Sequence, residues 1–316
     1  MKLSQLYNRE AFQVFADSVN KTKFYDASGV LLARSLTKVD PTLIETKYPE
    51  NVFLNSGFDV SNIGGYANAV QTLRVSGAGE FKTANGSTNS QGIISLQGED
   101  STIKVTERAA TTVWTDTEVQ QAAMEGYNIA SRYVMEVDRI YKQDLDRSGL
   151  VGLETGQYGI LNSPSFTAAA LSAAIGAGTA LEDYELVSGF IIAQHNAVNN
   201  TPEYMGNKLF MPATVLNHLA KTILNSASGD KSILMSLKAN FPSVDFIATA
   251  RAQSVGGGRV MSIVASNPNV LKFRLPVPLK NAPLETNGFR KSTDYVYRIA
   301  GVDVLEAAGG RIATGV

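Results

Sequence analysis

TDTEVQQAAMEGYNIASRYVMEVDRIYKQDL, residues 115–145, is the best-marked element of the chain. Thr115 and Glu118 stand at capping-box spacing, and Trp114 precedes the cap where it can staple onto Val119. Apolar residues from Val119 through Ala122, Ala130, Tyr133, Val137 and Tyr141 to Leu145 then recur at helical spacing until Gly149 offers a stop. The pattern predicts one continuous helix over 114–149, a rod of roughly 45–50 Å. Glu125, Arg132, Glu136, Asp138, Arg139, Lys142 and Asp146 fall on its other face, a mixed-sign surface suited to water or polar neighbours. Such a rod is long for a globular domain.

Upstream, the runs Ala67–Phe81 and Ile93–Val113 read as strands: Leu73 and Val75 share one face, and Ile103 and Val105 alternate with polar residues. Between them KTANGSTNSQG, residues 82–92, has one charge and no bulky apolar side chain, and its Asn85-Gly86 pair suits a chain reversal. A long hairpin with a polar tip follows. Residues 1–66 mix a short helical pattern with loop material and build no core alone, so they read as an arm. Downstream, YGILNSPSFTAAALSAAIGAGTA (158–180) is loop and turn, and EDYELVSGFIIAQHNAV (182–198) is helical. KLFM, DFIATA, RVMSIVA and VLKFRL read as strands around a helix that starts at Pro212. From Pro276 the chain is proline-rich and extended, and STDYVYRIAGVDVLEAAGG (292–310) alternates like strands returning to a sheet. The fold class is α+β.

Composition narrows the chemistry. The 316 residues are 44% hydrophobic, enough for a substantial core, and 28 Lys and Arg against 29 Asp and Glu leave no net basic field to draw in nucleic acid. No cysteine is present, which excludes disulfides and thiolate metal sites. MKLSQLYNREAFQVF breaks its apolar character before a signal-peptide core could form, and no apolar run reaches membrane-spanning length. His195 and His218 stand isolated on predicted helices without a zinc-type partner. SVGGGRV lacks the Lys-Ser/Thr of a phosphate loop, GAG at 176–178 follows no buried strand, and there is no GxSxG elbow. DLDRSGLVGLET places Asp144, Asp146, Ser148 and Gly149 at calcium-loop positions but has Thr155 where the bidentate glutamate belongs; the same residues make an ordinary helix end. No catalytic residue, cofactor site or metal site is expected, and the chain reads as a non-enzyme.

The order of parts resembles that of HK97-like phage major capsid proteins: arm, long hairpin, spine helix, compact α+β region, returning strands. The stretch at 115–145 is similar to that family's spine helix, YGILNSP to the turn that follows it, and FMPATVLNHLA to a helix of its A-domain. The resemblance is closest to branches represented by uncharacterised families of bacteria and their phages. It implies an N-terminal arm (1–66), an E-loop hairpin (67–113), a spine helix of the P-domain (114–149), an A-domain (150–275) and return strands of the P-domain (276–316). It further implies self-assembly into hexamers and pentamers of an icosahedral shell around double-stranded DNA, in a virion assembled in the host cytoplasm. Scaffolding, portal and decoration proteins would be separate partners, and the genome would be touched only weakly and non-specifically. No membrane partner is expected. An encapsulin-like compartment enclosing a cargo enzyme has a similar fold and stays open at this stage.

Two surfaces follow from that reading. The hairpin tip, through Lys82, Thr83, Asn85, Gly86, Asn89 and Gln91, is expected to contact a neighbouring subunit. The turn at Gly256, Gly257, Gly258 and Arg259 is expected near the capsomer axis, because three glycines offer no side chain to pack. Lys82 as a lone hairpin lysine reads as a solvated charge rather than half of an isopeptide cross-link.

Overall fold

The computed structural model describes residues 51–63, 65–79, 94–124, 128–154, 156–224 and 231–316. Residues 49–123 and 128–316 cluster as one compact unit; of the other, 1–48 with 124–127, only Met124 is described. The expected arm therefore lies outside the described residues up to residue 50.

The centre of the unit is a five-stranded sheet with the order β5 (Thr167–Ala170), β14 (Gly310–Thr314), β8 (Val260–Val264), β6 (Lys208–Pro212), β7 (Asp245–Thr249). Strand periodicity divides two cores across it. Leu209, Met211, Met261 and Ile263 point to one side and pack with α4 (Ala180–Ala197), α5 (Ala213–Lys221) and α6 (Ile233–Asn240) through Val187, Ile191, Leu219 and Leu237. Phe210, Val260 and Val264 point to the other side and meet Phe273, Leu150, Ile160 and Ile299. Burial on both faces is why β8 is apolar at four of its five positions rather than alternating, and its one polar side chain, Ser262, is buried with its hydroxyl donating to the Ile160 carbonyl at 2.7 Å. The last strand, β14, sits in this sheet beside β8 and not with the strands that precede it, and β5 emerges from what the sequence marked as plain loop.

The rod expected over 114–149 is two helices, α2 (Asp116–Met124) and α3 (Ile129–Leu150), with 125–127 outside the described residues. The capping box forms as predicted: Glu118 Oε2 accepts from the Thr115 amide at 2.8 Å, and Thr115 Oγ1 from the Glu118 amide at 3.3 Å. A second helix start lies inside the predicted rod. Asn128 has extended backbone, and its Oδ1 accepts from the amides of Ala130 and Ser131, capping α3 afresh. Trp114 stacks on Tyr133 of α3, ring centroids 5.7 Å apart.

The strand expected to run from Ile93 to Val113 also divides. β3 (Ile94–Lys104) pairs antiparallel with β2 (Ala69–Gly79), Ala69 facing Lys104 and Gly79 facing Ile94. Val105, buried beside Val70 and Ala300, then turns the chain into β4 (Thr106–Thr115). That strand pairs along its whole length with β12 (Arg290–Ile299), which also pairs with β10 (Val277–Asn281) and β11 (Glu285–Asn287). A three-stranded sheet, β1 (Val60–Ser61), β9 (Leu271–Arg274), β13 (Gly301–Val304), lies at the root of the β2–β3 hairpin. A short helix α1 (Val52–Asn55) inserts Phe53 between Phe58 and Phe273. Among the described residues no helix is long and apolar enough to cross a membrane.

Candidate functional site

The β2–β3 hairpin is a two-stranded ribbon, and side chains at alternate positions face opposite ways. Its register puts Leu73, Val75, Leu96 and Ile94 on one face, with Gly98 across from Val75 and Gly77 across from Leu96. All four apolar side chains lie in water: Leu73 is 64% exposed, Val75 60%, Ile94 59% and Leu96 75%. Nearer the root the same face turns polar, where Gln71 Nε2 donates to Asp100 Oδ2 at 2.9 Å.

The opposite face is tied to the chain's own body. Val70 is buried with Val105 and Ala300. Two residues on, the Thr72 hydroxyl donates to Asp303 Oδ2 at 2.9 Å and accepts from Arg274 Nη2 at 3.1 Å. Two further, Arg74 pairs with Glu306 at 2.8 Å. A ribbon with one face anchored and a distal apolar face in water has no partner for that face among the described residues, and two-stranded hairpins are marginal alone.

Of the residues expected at the interface, Lys82, Thr83, Asn85, Gly86, Asn89 and Gln91 lie outside the described residues. Gly256 and Gly257, at φ 60° and 85°, are the central pair of a tight turn closed by the Gly258 amide on the Val255 carbonyl at 3.1 Å. A Cβ at any of the three glycines would meet open space, and Arg259 is exposed beside them.

The aspartates of DLDRSG are spoken for. Asp146 is buried and accepts the Phe53 amide at 2.6 Å, with Arg251 3.6 Å away. Asp144 accepts the Tyr297 hydroxyl at 2.9 Å and pairs with Arg108 at 3.4 Å. Burial, with the Asp144 carboxylate second, holds the Tyr297 hydroxyl well above the usual tyrosine range. Thr155 is outside the described residues, and among the described residues no group of three or more acids or histidines is placed to hold a metal. His195 is buried with Nε2 3.2 Å from the Gly206 carbonyl. His218 brings Nε2 to 2.8 Å from Asp183 Oδ2, while Thr222 Oγ1 is 3.5 Å from that same nitrogen. A proton relay from hydroxyl to carboxylate needs both ring nitrogens, so this trio is not a nucleophilic triad.

The sequence had placed Leu73 and Val75 on one face; their partners Ile94 and Leu96 depend on a register that only the paired strands define. The Arg274–Asp303 pair has no local sequence signal beyond one charge in each of two predicted strands.

Comparison with known proteins shows the family of the chain. The family described as "Major capsid protein" matches residues 79–316. Among solved structures, the capsid of Myoviridae phage XM1 is 31% identical, with 90% of this chain and 98% of that one covered and a TM-score of 0.80. The capsid of a native GTA particle superposes at a TM-score of 0.65 with 13% identity, covering 88% and 95% of the two chains. Mycobacterium phage Bobi gives 0.60 with 14% identity, covering 86% and 92%. No curated protein matches the chain.

Proposed function

The chain belongs to the major capsid protein family, structural proteins of an icosahedral shell, and from that premise we propose that its β2–β3 hairpin is the clasp that joins one copy to the next. The shell is built of hexamers and pentamers. In each, the hairpin serves as the E-loop, lying on a neighbouring copy through Leu73, Val75, Ile94 and Leu96, with the tip residues Lys82 to Gln91 adding polar contacts. Helices α2 and α3 with β4 and β10–β12 form the P-domain, and the five-stranded sheet with α4–α6 forms the A-domain. The Gly256–Arg259 turn faces the capsomer axis. The likeness to a phage capsid supports an enclosed double-stranded DNA genome rather than a cargo enzyme. A formal charge of −1 suits a wall that does not bind that genome tightly. Separate scaffolding, portal and decoration proteins complete the assembly, which takes place in the host cytoplasm.

The observation that carries this reading is the exposed apolar face of a ribbon whose other face is tied to its own body. Exposed positions carry little of the chain's own stability. Replacing Leu73→Ser, Val75→Thr and Leu96→Ser together should leave the unassembled protein's Tm within about 2 °C, equivalent to a change within roughly 0.5 kcal/mol. Shells should no longer sediment or be seen by negative-stain microscopy. Normal shells from the triple variant would end the clasp reading.

A further inference from the structure

The exposed face can meet a neighbour only if the hairpin leaves the body at a set angle, and the root contains a device for that. Arg274 and Asp303 form a buried ion pair, Nη2 to Oδ2 2.8 Å, with a second bond from Arg274 Nε at 2.9 Å. Arg274 Nη1 donates to Ser61 Oγ at 3.0 Å, so the pair ties β1, β9 and β13 together. Into this cluster β2 inserts one hydroxyl. Thr72 Oγ1 accepts from Arg274 and donates to Asp303, using both its capacities on the two charges at once. Asp303 Oδ2 takes both Arg274 contacts and the Thr72 hydroxyl, while its Oδ1 is buried without a partner among the described residues. One strand repeat farther out, Arg74 meets Glu306, whose Oε1 also accepts the Ala308 amide at 3.4 Å and is thereby braced on the short 3-10 turn Ala307–Gly309. Both anchors lie on β2 at even positions, directly behind the odd positions that carry Leu73 and Val75.

We infer that Thr72, seated in the Arg274–Asp303 pair, and the outer Arg74–Glu306 bridge are positioning residues that set the hairpin in the unassembled chain with its apolar face outward. The inference rests on the clasp reading for its purpose but not for its test. Two anchors about 7 Å apart along one strand fix a direction, which a single anchor would leave free to swing. The inner anchor joins a half-buried hydroxyl to two buried charges and is the stronger, because removing that hydroxyl takes one charge-assisted hydrogen bond from each of them while the Arg274–Asp303 pair itself stays closed. The outer one is half exposed and weak.

Hydrogen exchange on the unassembled full-length protein tests this. Thr72→Val keeps the side-chain shape and removes the hydroxyl, whereas Thr72→Ser restores it. Thr72→Val should speed amide exchange in β2 and β3 about 10-fold. Thr72→Ser should stay within about 2-fold of the parent, and Glu306→Gln should speed the same amides about 2- to 5-fold. Exchange in β6 and β8 should not move in any of them. The inference is overturned if Thr72→Val leaves the hairpin amides unchanged, if Thr72→Ser is no better than Thr72→Val, or if β6 and β8 accelerate equally. Shell yield is scored separately on the Leu73/Val75/Leu96 triple variant: intact shells there remove the clasp while the exchange result still decides the anchors.

Discussion

Asp146 holds a buried carboxylate with the Phe53 amide at 2.6 Å and the Arg251 guanidinium farther off at 3.6 Å, and that arrangement has a pH signature. Its main partner is the Phe53 N–H, and Phe53 in turn lies on Gly149, where a Cβ would come within 2.2 Å of the ring. The last turn of α3 therefore receives α1 through one aspartate and one missing side chain. Burial pushes the Asp146 carboxyl above its ordinary value of 3.8; the Phe53 amide and Arg251 pull the other way without cancelling it. The folded state thus binds this proton more tightly than the unfolded chain does. Its contribution to stability is most favourable at acid pH and declines as pH rises from 3.8 through the raised folded value. Asp146→Asn keeps an oxygen for the Phe53 amide and has no charge to desolvate. Relative to the parent, the variant should gain stability between about pH 4 and about pH 7, read from urea midpoints at each pH. A gap that narrows with rising pH would mean that Arg251 outweighs burial.

Between Met124 and Ile129 the chain presents two signals of different rank. The apolar period runs on across Gly126 and favours one rod, while Asn128 followed by Ile129 is a helix start hidden within that period. Capping decides, because Asn128 satisfies two amides that a continuous helix would have bonded internally. The sign of one substitution separates the two structures. In a continuous helix Asn128→Ala would stabilise, since alanine is the better helix former; at a cap it should destabilise by about 1 kcal/mol, measured by denaturant unfolding. Legibility follows the range of the interaction. The Thr115 cap was readable because its partners are three residues apart, and β8 because both of its faces are buried. The division of β3 from β4 at Val105 was not, because the alternation runs straight through it and the cause is a contact with Val70 and Ala300. Arg274 and Asp303, likewise, stand 29 positions apart in strands that meet only in the folded sheet.

For the chain as a whole, apolar burial and charge are divided between two tasks. Apolar side chains fill two cores on either side of one sheet, and a further set remains in water on the hairpin. Charges are near balance overall, and pairs such as Arg74–Glu306 and Arg274–Asp303 are spent inside the subunit. If the clasp between copies is chiefly apolar, many moderate contacts repeated around a closed shell supply its cohesion, and that cohesion is indifferent to screening. Raising sodium chloride from about 0.1 M to about 1 M shortens the Debye length from about 10 Å to about 3 Å and weakens exposed ion pairs. Assembled shells should therefore keep their sedimentation profile across that range, while cooling toward about 0 °C should loosen them, because hydrophobic association fades in the cold. Shells that dissolve steeply with salt at constant temperature would assign the clasp to ion pairs instead, and the exposed leucines of the hairpin would then need another explanation.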